Sequence, residues 1–287
     1  MNDQQTQRTP RSLIVTFYGA YGRGGPGAPG GPAAPVPVAA LIRLLGALGV
    51  DPPSVRSAVS RLKRRGLLAP ARTATGAAAY GLSDAARQLL DDGDRRIYAR
   101  PAARLSDGWV LAVFSVPEEE RHKRHLLRSR LARLGFGTAA PGVWLAPAQL
   151  YEETRHTLER LQLDPYVDLF TGAHAGFAPT ADAVARWWDL DAIAAQHRAF
   201  LDEQEPVLQR WSRRRSVPPE AAYRDYLLAL DAWRHLPYAD PGLPSPLLPE
   251  DWPGGRAAEV FGRLHTKLRA AGALYAHEAM TGAQGLS

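Results

Sequence analysis

The sequence predicts an α+β protein in three parts: an N-terminal winged helix-turn-helix, a central ferredoxin-like plait and a C-terminal helical domain. Three observations carry this reading. A helix, a turn, a basic helix and a hairpin follow one another in the first third. The middle alternates short apolar strands with amphipathic helices. The last third has helical periodicity throughout and many of the tryptophans. Its 287 residues suit two or three domains, and 45% hydrophobic against 22% charged residues is enough to build cores, which excludes global disorder. There is no cysteine, so disulfides, thiol nucleophiles, zinc ribbons and iron–sulfur clusters are excluded together. No apolar run approaches the roughly 20 residues of a membrane helix, and the best, residues 38–50, is interrupted by Arg43. Residues 1–10 are polar and unlike a signal peptide, so the expected location is the cytoplasm, with no membrane partner.

Charge is unevenly spread. Residues 11–104 carry 14 Lys or Arg against 5 Asp or Glu, whereas residues 105–287 carry 20 against 23. A basic segment on a mildly acidic body points to a polyanion-binding module.

The elements follow in order. Residues 12–21, SLIVTFYGAY, are apolar and compatible with helix or strand. Ten of the 14 residues at 22–35 are Gly or Pro, which reads as a flexible loop. Its GxG fragments open no helix, and no GKS or GKT follows anywhere, so no nucleotide-binding loop is read. Over 38–48, Val38, Leu41, Ile42, Leu45 and Leu48 share a helical face that ends at Gly49. Residues 51–54 form a turn with Ser54 as the expected N-cap. Over 55–65, Val55, Ala58, Val59 and Leu62 fall at i, i+3, i+4 and i+7 and form a buried stripe. The other face shows Arg56, Ser57, Ser60, Arg61, Lys63 and Arg64, and Gly66 stops the helix. Residues 67–72 and 77–82 read as strands around a turn, and Ser83 caps a helix over about 84–90.

This order, assigned to residues 11–100, is that of a winged helix-turn-helix. A helix of this width enters the major groove of DNA, where Arg and Ser side chains reach base edges. Arg56, Ser57, Ser60, Arg61 and Arg64 are the candidates for base contact, with Ser54 at the helix start. Ser57, Arg61 and Arg64 share one face. Lys63 and its neighbour Arg65 suit phosphates. Arg72, Thr73 and Thr75 at the hairpin tip are candidates for the DNA backbone. The competing reading is a helical hairpin with a merely solvated cationic face.

In the plait, assigned to residues 105–178, strands are read at 109–116, 138–146 and 166–170, with one further edge strand. Helices are read at 118–134 and 148–161. Arg121, Lys123, Arg124, Arg128, Arg130 and Arg133 crowd the first of these helices. They read as a solvated face partly neutralised by Glu118, Glu119 and Glu120, with phosphate contacts as the alternative. His122 and His125 stand three apart, but the surrounding cations repel a metal, and no metal site is assigned. A nuclease built on the plait needs a carboxylate at the end of the first strand. The strand holds none; Asp107 precedes it and Glu118 follows. No catalytic residue is assigned, and a metal-dependent nuclease is the rival reading. The helical domain, 181–280, has helices over 182–213, 219–236 and 256–276, with a Pro-rich loop at 236–253 between the last two.

Three stretches resemble the PaaX-like transcriptional repressors of phenylacetate degradation. They are VAALIRLLGALGVDPPSVRSAVSRLKRRGLL at 38–68, WVLAVFSVPEEERHKRHLLRSRLARLGFGTAAPGVWLAP within 108–147, and WDLD at 188–191 joined to DPGLP at 240–244 and LLPEDWPG at 247–254. The resemblance spans nearly the whole chain. It implies a winged helix, a central plait similar to a CRISPR adaptation nuclease, and a homodimer on a palindromic operator of double-stranded DNA. It further implies release by a small-molecule effector, phenylacetyl-CoA or another acyl-CoA, and no cofactor. Candidates for holding such an effector are Trp188 and Trp252 around an aryl or acyl group and Arg213, Arg214 and Arg215 around phosphates. For the tryptophans, helical core is the competing reading.

Overall fold

The computed structural model describes residues 8–23, 35–73, 76–99 and 103–282. Helix α1 spans Pro10–Phe17 and continues into a π-helical turn at Tyr18–Gly22. Thr9 caps it: its Oγ1 accepts the Ser12 N–H at 3.1 Å, and Pro10 occupies a first-turn position where no N–H is needed. Composition left this segment open between helix and strand because its apolar residues are nearly continuous; Leu13, Ile14, Phe17 and Tyr18 are all buried. The expected loop at 22–35 falls mostly outside the described residues.

A two-residue strand, β1, at Val36–Pro37 leads directly into α2, Val38–Gly46. The buried face of α2 is Ala40, Leu41, Leu44 and Leu45, rotated from the expected stripe, and the helix stops at Gly46 rather than at 48. Helix α3 spans Pro52–Arg64. Its N-cap is Asp51 rather than Ser54, with Asp51 Oδ1 accepting the Ser54 N–H at 2.9 Å. The two prolines explain the shift, because proline fits a helical first turn that lacks N–H partners anyway. Strands β2, Leu68–Arg72, and β3, Ala78–Leu82, pair antiparallel, and β1 joins the free edge of β3 in the order β1-β3-β2. Helix α4, Asp84–Tyr98, starts from Ser83, whose Oγ accepts the Ala86 N–H at 3.2 Å. It runs eight residues past the expected end because no breaker intervenes before Gly93, which the helix tolerates and buries.

The central segment holds β4 Trp109–Phe114, α5 Arg121–Leu134, β5 Gly137–Ala140, β6 Val143–Pro147, α6 Tyr151–Arg160 and β7 Val167–Gly172. The strands form one antiparallel sheet in the order β5-β6-β4-β7. The single strand expected at 138–146 is a hairpin. The chain reverses at Gly142, whose φ of +78° favours glycine. Strand β4 alternates between two apolar environments, as a period of two requires. Val110 and Ala112 pack with Leu127, Leu131 and Leu158, and Trp109 and Leu111 pack with Val184, Trp188 and Leu247.

The rest is helical: α7 Thr180–Trp187, α8 Leu190–Ser212, α9 Pro219–Trp233, a short α10 Leu236–Ala239 and α11 Gly254–Thr281. The single helix expected over 182–213 is broken at Trp188–Asp189, where Asp189 Oδ1 accepts the Ala192 N–H at 2.9 Å and starts α8 afresh. The expected loop at 236–253 contains α10 and a 3-10 turn at Ser245–Leu247.

Contacts divide the chain into two units. The first is Met1–Ile97, Phe200–Arg234 and Arg256–Ser287; the second is Tyr98–Ala199 and His235–Gly255. Within the first unit, α1 packs on both α3 and α9. A buried polar cluster fixes the α1–α9 contact. Asp231 Oδ1 accepts from Ser12 Oγ at 2.7 Å, Thr16 Oγ1 at 2.6 Å and Arg234 Nε at 3.2 Å, and Arg234 Nη2 also donates to Ser12 Oγ at 2.8 Å. The buried residues of this unit include Trp211, Tyr223, Tyr226, Leu230, Trp233 and Phe261, with Trp233 stacked on Phe261 at 4.9 Å.

Candidate nucleic-acid interface

Helix α3 has two faces. Val55, Ala58, Val59 and Leu62 are buried, at 0 to 4% exposure, and anchor the helix against the core. Arg56, Ser57, Ser60, Arg61, Lys63, Arg64 and Arg65 are exposed on the other side, and Ser54 is half-buried. The side chains of Arg56, Ser57, Ser60, Arg61, Lys63 and Arg64 make no hydrogen bond or ion pair among the described residues. Elsewhere in the molecule many arginines are paired, as Arg155 is to Glu152 and Glu159 and Arg256 is to Glu205 and Glu259. The α3 face therefore presents a row of cations and hydroxyls, with every donor open to a ligand.

The surroundings hold this helix still. The Leu67 N–H donates to Leu62 O at 3.0 Å, and Ser83 Oγ donates to Gly66 O at 2.7 Å, so the start of α4 clasps the end of α3. Tyr18 Oη donates to Tyr80 O at 2.7 Å, tying the π-helical turn to β3, and burial pushes this phenol's pKa up. Sequence reasoning missed Tyr18 because it lies in a segment whose structure was ambiguous. In the hairpin, Arg72 is exposed and its Nη1 donates to Gly76 O at 2.8 Å, while Thr73 Oγ1 accepts the Ala77 N–H at 3.0 Å. Both thus brace the tip of the hairpin, where Thr73 and Ala77 line a cleft with Ala39, Ala40 and Arg43 of α2; Thr75 lies outside the described residues.

The Asp51 cap makes the start of α3 sensitive to acid. Its carboxylate is held below the ordinary range, chiefly by the Ser54 hydroxyl and then by the Ser54 N–H. A value depressed in the folded state means that the cap's contribution is full above the unfolded carboxylate's range and is lost as pH falls through the folded value. Asp51→Ala is expected to melt below wild type at neutral pH, with the gap closing in strong acid, and Asp51→Asn is expected to melt close to wild type. A gap independent of pH in thermal melts would contradict this account.

The effector candidates are distributed between the two units. Trp188 belongs to the second, where it is buried against Trp109 and Trp187 and donates Nε1–H to Gly135 O at 3.0 Å. Trp252 is half-buried beside His197, whose Nε2 meets Asp240 Oδ2 at 2.9 Å. Arg213, Arg214 and Arg215 belong to the first unit, are exposed and follow the end of α8; Arg214 lies over the Trp211 ring at 5.2 Å.

For the nuclease alternative, Asp107 Oδ2 accepts the Arg104 N–H at 2.8 Å in a local turn, and Glu118 pairs with Arg124 at 3.1 Å. Among the described residues no three His, Asp or Glu converge as a metal site, and no helix is long and apolar enough to cross a membrane.

Comparison with known proteins accounts for nearly all of the chain. Residues 9–86 match a family described as PaaX-like protein. Residues 102–184 match the PaaX protein central Cas2-like domain, and 188–278 the PaaX-like protein C-terminal domain. The transcriptional repressor PaaX of Escherichia coli is 26% identical over 248 residues, which is 84% of this chain and 77% of that protein. The solved structure of the uncharacterized protein Rv0674 from Mycobacterium tuberculosis superposes with a TM-score of 0.57 at 22% identity, over 94% of this chain and 99% of the other, and shares the fold. Three PaaX family domains, matched in order over residues 9–86, 102–184 and 188–278, show that the chain belongs to the PaaX-like family.

Proposed function

We propose that this protein is a DNA-binding transcriptional repressor. It would read a palindromic operator as a homodimer through α3, with the β2–β3 hairpin as the wing of a winged helix-turn-helix. The observation that carries this is the open face of α3. A helix with a fully buried stripe opposite a continuous row of unpaired Arg, Lys and Ser is built to present those side chains to a rigid polyanion. The repressor relative supports the direction of regulation. The central four-stranded sheet with α5 and α6 reads as a ferredoxin-like plait in a non-enzymatic role.

A small molecule, an aryl-CoA thioester such as phenylacetyl-CoA, would release the protein from DNA. For that it must bind the DNA-free arrangement more tightly than the DNA-bound one, since equal affinity shifts nothing. Fluorescence anisotropy on the promoter of the protein's own gene, with random DNA as competitor, tests both parts. The expected outcome is promoter-selective binding that phenylacetyl-CoA abolishes. Equal binding to random DNA with a steep salt slope would indicate a non-specific binder instead.

A further inference from the structure

In the first unit a groove of about 590 Å³ separates the end of α8 from α11, with Ser212 on one side and Glu259, Gly262, Arg263, Thr266 and Lys267 on the other. The chain leaves this groove straight into Arg213, Arg214 and Arg215, all exposed, and Lys267 Nζ donates to Arg214 O at 3.2 Å. Two cations, Arg263 and Lys267, line the cavity, and three more, Arg213, Arg214 and Arg215, follow its Ser212 wall directly in sequence. The acidic residue in its lining, Glu259, is already shared between Arg256 at 2.8 Å and Arg263 at 3.6 Å. Arg213 and Arg215 make no hydrogen bond or ion pair among the described residues. The dipole of α8 attracts cations to its C-terminal end, which accounts for the three arginines there. It does not account for Arg263 and Lys267, which come from another helix and line the cavity.

Gly262 is the second observation. It sits inside the 28-residue helix α11, where glycine is disfavoured, yet a Cβ added there would meet nothing within 4 Å. No packing contact requires the glycine. What its missing side chain does is leave the wall of the groove open.

Guanidinium and ammonium groups with an open hydroxyl, here Thr266, are the chemistry that recognises phosphate. A cavity of this volume falls in the range of small-molecule sites, roughly 300–1,000 Å³. We propose that the groove binds a small ligand of nucleotide size carrying two or more phosphates. This rests on the effector reading above and assigns the effector's anionic end to a place in the fold.

The test is calorimetric titration of the full chain, free of DNA, with coenzyme A lacking an acyl group and separately with inorganic pyrophosphate. Wild type is expected to bind coenzyme A, and both Gly262→Leu and the double variant Arg213→Glu, Arg215→Glu to bind it at least about tenfold more weakly. Both variants are expected to melt as wild type does, since leucine favours helix and fits the open space and the arginines are solvated. Promoter binding, followed separately by anisotropy, is expected to be unchanged in both. Undiminished coenzyme A binding in both variants, or no heat from either ligand with wild type, overturns the site and leaves the regulator reading standing. Weakened promoter binding with unaltered coenzyme A binding also overturns it, in favour of a DNA phosphate contact. Coenzyme A binding that behaves as expected in a protein without promoter preference supports the groove and sinks the regulator reading alone.

Discussion

The double variant Arg61→Ala, Arg64→Ala is expected to bind promoter DNA about a hundredfold more weakly than wild type and to lose most of its preference over random DNA. The two side chains stand one turn apart on the exposed face of α3 with no protein partner to release. An arginine paired bidentately with guanine contributes about 1–3 kcal/mol of discrimination, so two of them account for a change of this size. Removing exposed, unpaired groups costs the fold little, within about 0.5 kcal/mol, so the melt is expected to stay in place. Lys63→Ala is the contrasting case. A phosphate contact weakens all sequences alike and lowers the salt slope by about one. Wild-type affinity and preference in the double variant would show that α3 is not the reading helix.

The second large effect is on stability. Asp231→Ala is expected to destabilise the first unit by about 3 kcal/mol, read from urea unfolding followed by far-ultraviolet circular dichroism. Asp231 is 3% exposed, and one of its oxygens collects three donors. Its removal strands the Ser12 and Thr16 hydroxyls and the Arg234 guanidinium in a poorly solvated place, which costs more than the bonds themselves contribute. Because α1 also packs on α3, promoter affinity is expected to fall in parallel. Asp231→Asn, which keeps an acceptor but not the charge, is expected to fall between the two. Wild-type stability in Asp231→Ala would mean that the cluster is incidental to the α1–α9 contact.

The parts legible in the sequence were those decided within one helix or one hairpin. The stripe Val55, Ala58, Val59 and Leu62 identifies both the buried and the open face of α3, because a period of 3.6 needs no tertiary information. The cap was misplaced by three residues because Asp51 and Ser54 are both good caps and only the prolines between them decide. Two residues of β1 are too few to show any period, and the π-helical turn at Tyr18–Gly22 has no sequence signature. In the segment at 12–21 the polar positions Ser12 and Thr16 find their partner in Asp231, more than two hundred positions away, which no local pattern shows. Of the groove between α8 and α11, the sequence shows only the arginines that follow its Leu208 and Ser212 wall, Arg213, Arg214 and Arg215. Its other wall, with Gly262, Arg263, Thr266 and Lys267, lies on a helix some fifty residues further on.

That long-range tie between Ser12, Thr16 and Asp231 also sets an order of events during synthesis. When a ribosome has released only the first hundred or so residues, α3 is complete but its supporting helix α1 has an exposed apolar side and no α9 to cover it. The nascent N-terminal part must wait for residues 200–234 and then 256–282 before its own core closes. A chain cut short within residues 200–234 or 256–282 is therefore expected to leave α3 without its full support rather than to yield a smaller stable unit. The core behind α3 closes only when translation is almost complete.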